Sequence, residues 1–299
     1  MRIVTRPDFD GIVCAVLLSD ALTITKPTAW VEPGDMQRNR VDIRSGDIIA
    51  NLPYHENCAL WFDHHYSNRI AAPFEGLYRV APSAAGLVAE YYRDRFRRKF
   101  SELVRQADKI DAAELTPEEV QFPENHPYLI LSMTITGHEK NDESYWNRLV
   151  DLLGSQSMDA VMADAEVERR CAQTVERNRA YEAYLQAHTR MIGQVAVTDF
   201  RSLDTPPSGN RFLVYSLFPK SIVNVKIRYA SENPDKVLLS VGHSIFNRNC
   251  HVNVGAMLSR FGGGGHKGAG ACSFPAHQAE ETIARIIEIL VNNQKEESA

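Results

Sequence analysis

Residues 2–22 read RIVTRPDFDGIVCAVLLSDAL, and this stretch decides the fold. Arg2-Ile3-Val4 is a short run of strand type. The turn TRPDFDG follows it, and IVCAVLLSDAL then continues as an apolar helix. Strand, turn and helix in this order open an α/β unit. Residues 48–52 (IIANL) and 58–62 (CALWF) predict further strands, each ending in polar turn residues. SAAGLVAEYYRDRF predicts a helix with Ser83 as N-cap, and 101–113 and 143–153 predict two more. The alternation implies an α/β fold with a mainly parallel sheet covered by helices over residues 1–157.

Residues 158–191 contain no Gly or Pro and carry apolar residues at near-helical spacing (Val161, Val167, Cys171, Val175, Tyr181, Leu185). They predict one long helix, so 158–192 is read as a helical linker. The rhythm then changes. QVAVTDF, RFLVYSLF, IVNVKIRYA and KVLLSVGHSIF are four β-rich runs separated by turn-forming segments such as DTPPSGN and SENPD. VNVGAMLSRF predicts a helix, GGGGHKGAG a glycine turn, and AEETIARIIEILVNN a closing amphipathic helix, with QKEESA as a frayed tail. Residues 193–299 thus form a smaller α+β domain.

The 299 residues are 44% hydrophobic and 24% charged, which excludes a disordered or collagen-like chain. The net charge of -5 excludes a basic protein that coats nucleic acid. Residues 1–190 hold 22 basic against 29 acidic side chains, and 191–299 hold 11 against 9, so an anionic guest belongs with the C-terminal part. Five scattered cysteines without a C-x-x-C pair make neither a disulfide framework nor a structural zinc site, and Cys14 reads as a buried core thiol. Asp8 and Asp10 interrupt the N-terminus too early for a signal peptide, and no apolar run is long enough to span a membrane. The expectation is a cytoplasmic protein with no membrane partner.

Three motifs carry chemistry. Arg6-Pro7-Asp8-Phe9-Asp10-Gly11 follows the first strand, where open α/β sheets bind ligands. Two carboxylates there can point at one centre and take a hard cation such as Mg²⁺ or Mn²⁺; a solvated Asp turn is the alternative. Trp61-Phe62-Asp63-His64-His65 closes another apolar run. Imidazole suits Mn²⁺, and a neighbouring carboxylate can fix the ring's tautomer; a surface His pair is the alternative. Arg260–Gly270 (RFGGGGHKGAG) packs six glycines into nine positions. Such a run costs backbone entropy unless the chain must turn tightly or approach a guest, and its N–H groups can cradle an anion. Elsewhere, His126, His138, His188 and His277 read as surface residues, and His55 with Glu56 as a surface loop.

PDFDG, DHH and GGGGHKGAG, in this order, resemble the DHH phosphoesterase superfamily with its DHH-associated C-terminal domain. That superfamily includes RecJ-type exonucleases, nano-RNases, exopolyphosphatases and family II pyrophosphatases. The resemblance covers nearly the whole chain. It implies a hydrolase that uses one or two Mn²⁺ or Mg²⁺ ions to activate water against a phosphodiester or phosphoanhydride. The implied substrate is a small phosphorylated molecule or short single-stranded nucleic acid, and a homodimer is compatible with the family. By the same resemblance Asp8, Asp10, His64, Asn51 and Asp108 (Asp111 in reserve) are metal ligands. Asp63 supports the His pair, and His65 faces the substrate phosphate. Arg248 and the glycine run, with Gly263, Gly264, Gly265 and His266, match the family's substrate-binding positions; Arg6, where some members have an Asp, is read as a positive charge near the first cation position and a substrate contact, and Lys267 as a further cationic donor. The active site is expected where the metal-bearing domain meets the glycine turn. A phosphate- or nucleotide-binding protein without catalysis is the rival reading.

Two positions depart from the family pattern. Val4 stands where many members have a His, and Asn51 where a bridging Asp is usual. Two dications about 3.5–4 Å apart repel strongly: each unit-charge pair contributes about 4 kcal/mol at an effective dielectric near 20, and two dications multiply that fourfold. A bridging carboxylate offsets much of this and an amide offsets none. The sequence therefore predicts a one-metal site, or a two-metal site that substrate phosphate completes.

Overall fold

The computed structural model describes residues 1–135, 142–230 and 233–294. His138 and the tail residues 295–299 lie outside the described residues, as do 231 and 232 of the SENPD turn. The chain divides into an N-terminal unit (1–115 with 123–174) and a C-terminal unit (116–122 with 175–299).

In the N-terminal unit, β1 (Arg2–Thr5), β2 (Ala29–Trp30), β3 (Asp47–Ala50), β4 (Leu60–Asp63) and β5 (Gly76–Tyr78) form one sheet. Its order is β2-β1-β3-β4-β5, and every pairing is parallel. The α/β class read from the first 22 residues is the class observed. Adjacent residues of the central strands are buried alike: Ile3 and Val4, and Ile48 and Ile49, are fully covered. Both faces are therefore occupied, as continuous apolar runs in a parallel sheet require. Val4, Ile49 and Trp61 pack with Val31, Met36, Ile43 and Leu52 on one side. The helix Phe9–Ala21 packs against the helices Ala84–Tyr91, Ser101–Asp111 and Glu143–Ser155.

The expected continuous helix over 158–191 is two helices and a strand. Ser157 caps Met158–Met162. Asp164 Oδ1 then accepts the Glu166 and Val167 N–H groups, restarting the chain as Ala165–His188. Both are Ser/Asp caps of the ordinary kind, inside a pattern that periodicity alone reads as unbroken. Thr189–Ile192 leaves the helix as β6 and pairs with β7 (Val195–Asp199).

In the C-terminal unit, β6, β7, β8 (Val223–Ala230), β9 (Asn233–His243), β10 (Gly264–His266) and β11 (Ala269–Pro275) form a sheet of order β10-β11-β9-β8-β7-β6. Only β7 with β8 is parallel. The closing helix, Ala279–Asn292, buries Ile283, Ile286, Ile287 and Leu290 in the core of this unit. RFLVYSLF, read as a strand, holds the helix Leu213–Leu217 instead. Asn210 Oδ1 accepts the Phe212 N–H and turns the chain, so Leu213, Val214 and Tyr215 are buried in succession. A short apolar run fits strand and helix equally, and tertiary burial decides.

If both faces of β3 are covered, Ile48→Ala and Ile49→Ala each lower unfolding free energy by about 2–5 kcal/mol in chemical denaturation. A near-zero cost for either one would mean that its face is open to solvent.

Candidate metal and phosphate site

The motif residues gather at the C-terminal ends of β1, β3 and β4 in the N-terminal unit. Asp8 is the N-cap of Phe9–Ala21: its Oδ1 accepts the Gly11 N–H at 2.8 Å, as an acid at a helix N-terminus does. Asp10 lies in the first turn of that helix and its side chain is wholly buried. Its Oδ2 and Oδ1 accept the N–H groups of Ala84 (2.9 Å) and Ala85 (2.8 Å), which open the helix Ala84–Tyr91. Two helix starts thus fix one carboxylate.

His64 follows directly on β4. Its Nδ1 lies 3.0 Å from the carbonyl oxygen of Ala81 and donates to it. That hydrogen bond fixes the tautomer, so the lone pair is on Nε2. His64 Nε2 is buried without a hydrogen-bond partner, 3.7 Å from Asp10 Oδ2 and 3.3 Å from Asp111 Oδ2. Three electron-rich atoms converge, and Asp10, His64 and Asp111 place one ligand atom each within 4.8 Å of one another. This donor set suits a borderline-to-hard dication such as Mn²⁺.

Asp108 is not part of this group. Its Oδ1 accepts the Ser83 hydroxyl at 2.6 Å, and Ser83 Oγ in turn accepts the Gly86 N–H. Asp108 and Asp111 stand three residues apart on the helix Ser101–Asp111, on nearly the same face. The N-cap of the neighbouring helix takes the first, and the second lies beside His64 Nε2.

Asp63 and His65 form a separate pair. Asp63 is fully buried; its Oδ1 accepts from His65 Nδ1 at 2.8 Å and its Oδ2 from Asn68 Nδ2 at 2.7 Å. Asp63, His64 and His65 also lie close together, but both Asp63 oxygens are engaged, Oδ1 by His65 and Oδ2 by Asn68. The hydrogen bond to Asp63 raises the His65 pKa. Asn68, absent from the sequence reading, sits in a short 3₁₀ turn just after DHH. Its amide is the second donor that a buried carboxylate needs, and nothing in the residue pattern marks it.

Asn51 follows β3 with φ +57, a left-handed conformation that Asn tolerates. Its Nδ2 donates to Asp8 Oδ1 at 2.9 Å, and its Oδ1 is buried without a partner. Arg6 Nε lies 3.3 Å from Asp8 Oδ2 and 3.8 Å from Glu32, a neighbour the sequence reading did not include.

The remaining predicted residues lie in the C-terminal unit. The glycine run is a hairpin rather than an open turn: Gly264–His266 pairs with Ala269–Ala271, and Lys267-Gly268 makes the two-residue loop. A Cβ on Gly263 would lie 2.3 Å from the Ala271 carbonyl oxygen, so the fold itself needs that glycine. A Cβ on Gly264 would meet nothing within 4 Å, so the packing gives no reason for glycine there. Gly265, His266 and Lys267 are exposed, and Arg248 Nε donates to the Ile245 carbonyl.

Burial pushes the Asp8 carboxyl up to about 6. Burial, with Asp111 and Asp8 opposite, holds Asp10 well above the carboxylate range despite its two backbone donors. A carboxylate with a raised folded-state pKa stabilises the metal-free protein below its unfolded pKa, near 4, and that stability is lost as pH rises through the folded value. Protons and Mn²⁺ compete for the oxygens of Asp10. Mn²⁺ should therefore raise the melting temperature more at about pH 7.5 than at about pH 5, measured by scanning fluorimetry. Equal shifts would separate Asp10 from metal binding.

No family model matches the sequence, and no curated protein matches it. Among solved structures, the chain is similar to the pGpG-specific phosphodiesterase PggH from Vibrio cholerae, with a TM-score of 0.85 and 29% identity over 98% of this chain and 99% of that one. It also resembles RecJ from Thermus thermophilus in complex with Mn²⁺ (TM-score 0.59, 14% identity, 98% of this chain and 52% of that one). A manganese-bound exonuclease RecJ gives TM-score 0.57 and 13% identity over 98% and 90%. The two RecJ structures share the fold.

Proposed function

The chain is a DHH-superfamily protein, and from that premise we propose that it is a metal-dependent phosphodiesterase acting on short linear nucleotides, with pGpG as the representative substrate. The observation that carries the reading is the buried His64 lone pair facing Asp10 and Asp111. The end-to-end similarity to a pGpG-specific phosphodiesterase supports the substrate class. Asp10, His64 and Asp111 would hold the cation, and Asn51 Oδ1 is a further oxygen donor. Bound there, a divalent cation supplies Lewis acidity toward a phosphoryl oxygen and lowers the pKa of a water molecule.

The chain's own groups do the rest. Asp63 fixes His65 Nδ1–H, so the proton available to a substrate is on Nε2. With its pKa raised, His65 keeps that proton to higher pH. It donates a charge-assisted hydrogen bond to a phosphoryl oxygen and can pass the proton to the departing ribose oxygen. The C-terminal unit has anion-binding groups of its own: Lys267 is cationic and His266 offers a ring N–H beside Gly264, whose missing side chain leaves room for a guest. The overall charge of -5 suits a small anion better than a long polyanion.

Incubation with Mn²⁺ and pGpG, followed by chromatography of the products, should show GMP, with pyrophosphate, polyphosphate and 3′,5′-bisphosphoadenosine turned over more slowly. Binding of pGpG without cleavage under Mn²⁺ or Mg²⁺ would favour a nucleotide-binding protein instead. Asp10→Ala and His64→Ala should abolish turnover, and His65→Ala should lower kcat by about 10²–10⁴-fold. Normal turnover by either of the first two variants would refute the metal assignment.

The glycines separate fold from function. Gly264→Ala should keep the wild-type melting temperature while raising KM, because its Cβ meets no protein atom. Gly263→Ala should melt earlier. Unchanged KM in Gly264→Ala would take that glycine out of substrate binding.

A further inference from the structure

Asp8 behaves differently from Asp10, although the sequence presents them as a pair. Asp8 Oδ1 accepts two hydrogen bonds, from the Gly11 N–H (2.8 Å) and from Asn51 Nδ2 (2.9 Å), and its Oδ2 faces Arg6 Nε at 3.3 Å. Oδ1 is engaged by two donors, and Oδ2 is in an ion pair with Arg6 without a hydrogen bond. Among the described residues, two groups of ligand atoms converge closely enough to hold an ion, and Asp8 belongs to neither. Asn51 explains why. Its left-handed backbone (φ +57) and the bond from its own N–H to the Phe62 carbonyl fix its place beyond β3. From there the amide turns its donor to Asp8, and its buried oxygen remains without a hydrogen-bond partner. An aspartate at this position would set one carboxylate against another at hydrogen-bond distance, which takes a shared proton or a cation to hold together. Val4, on β1 below, is fully buried and offers no ligand.

We propose that this chain binds a single divalent cation, on Asp10, His64 and Asp111, and that the bridge Arg6–Asp8–Asn51 replaces a second ion, with the Arg6 guanidinium as its permanent positive charge. The role given to Arg6 toward substrate rests on the phosphodiesterase reading; the cation count rests on the side-chain contacts. Arg6 carries its charge at every working pH, and its planar fork matches the oxygens of a phosphoryl group. Its side chain is 40% exposed, so a substrate oxygen can reach it. A fixed cation of this kind needs no bridging carboxylate, which agrees with an amide at position 51.

Equilibrium dialysis against Mn²⁺ with metal analysis, and electron paramagnetic resonance of the loaded protein, test the count without reference to turnover. The expected result is one Mn²⁺ per chain with the six-line spectrum of an isolated ion. Two Mn²⁺ per chain with an exchange-coupled spectrum would overturn the proposal. Binding of no Mn²⁺ would contradict the phosphodiesterase reading and this inference with it, a different failure from a count of two. Asn51→Asp, alone or with Arg6→Ala, should acquire a second, spin-coupled Mn²⁺; a count still at one in both variants would show that the bridge is not what excludes it. Arg6→Ala alone should keep one Mn²⁺ and raise KM for pGpG by about tenfold or more, with partial recovery in Arg6→Lys. An unchanged KM would remove Arg6 from substrate binding.

Discussion

His64 Nε2 stands 3.3 Å from one carboxylate oxygen and 3.7 Å from another, while Nδ1 of the same ring is held on the Ala81 carbonyl. A lone pair facing two carboxyl groups gains nothing from them, and a cation among them would attract all three. The surrounding fold serves to hold these groups in place. Parallel strands bring Thr5, Ala50 and Asp63 to one sheet edge, and the first residues beyond them are the motif residues. Two helices begin at that edge, and their backbone N–H groups secure Asp8 and Asp10.

Around this group a second set of contacts assigns each neighbour one task. Asn68 and His65 occupy the two oxygens of Asp63, so Asp63 orients an imidazole. Ser83 caps a helix and takes Asp108, while Asp111 lies beside His64 Nε2. Asn51 and Arg6 take Asp8. Five carboxylates (Asp8, Asp10, Asp63, Asp108 and Asp111) crowd one sheet edge and its covering helix, and hydrogen bonds give Asp8, Asp10, Asp63 and Asp108 separate partners.

Much of this was legible in the residues. The strand–turn–helix of residues 2–22, the Ser83 cap and the DHH segment after a buried run each have a local cause, and each appears where the pattern puts it. The choice between Asp108 and Asp111 was not legible, because three residues on a helix nearly share a face and the partner that separates them, Ser83, comes from another element. The helix at Leu213–Leu217 depends on Asn210 and on burial from all sides, neither of which a run of apolar letters records. The glycine run was visible as an anomaly, but its division into a glycine required by packing (Gly263) and one that packing leaves unexplained (Gly264) needs coordinates. Asn51 was visible as a departure; its contact with Asp8 gives that departure a structural purpose.

Anomalous diffraction from a Mn²⁺-soaked crystal, recorded on both sides of the manganese edge, tests the central claim most directly. The account predicts one peak within coordination distance of His64 Nε2 and the carboxylates of Asp10 and Asp111. A peak on Asp63 and His65, or none near His64, would contradict it.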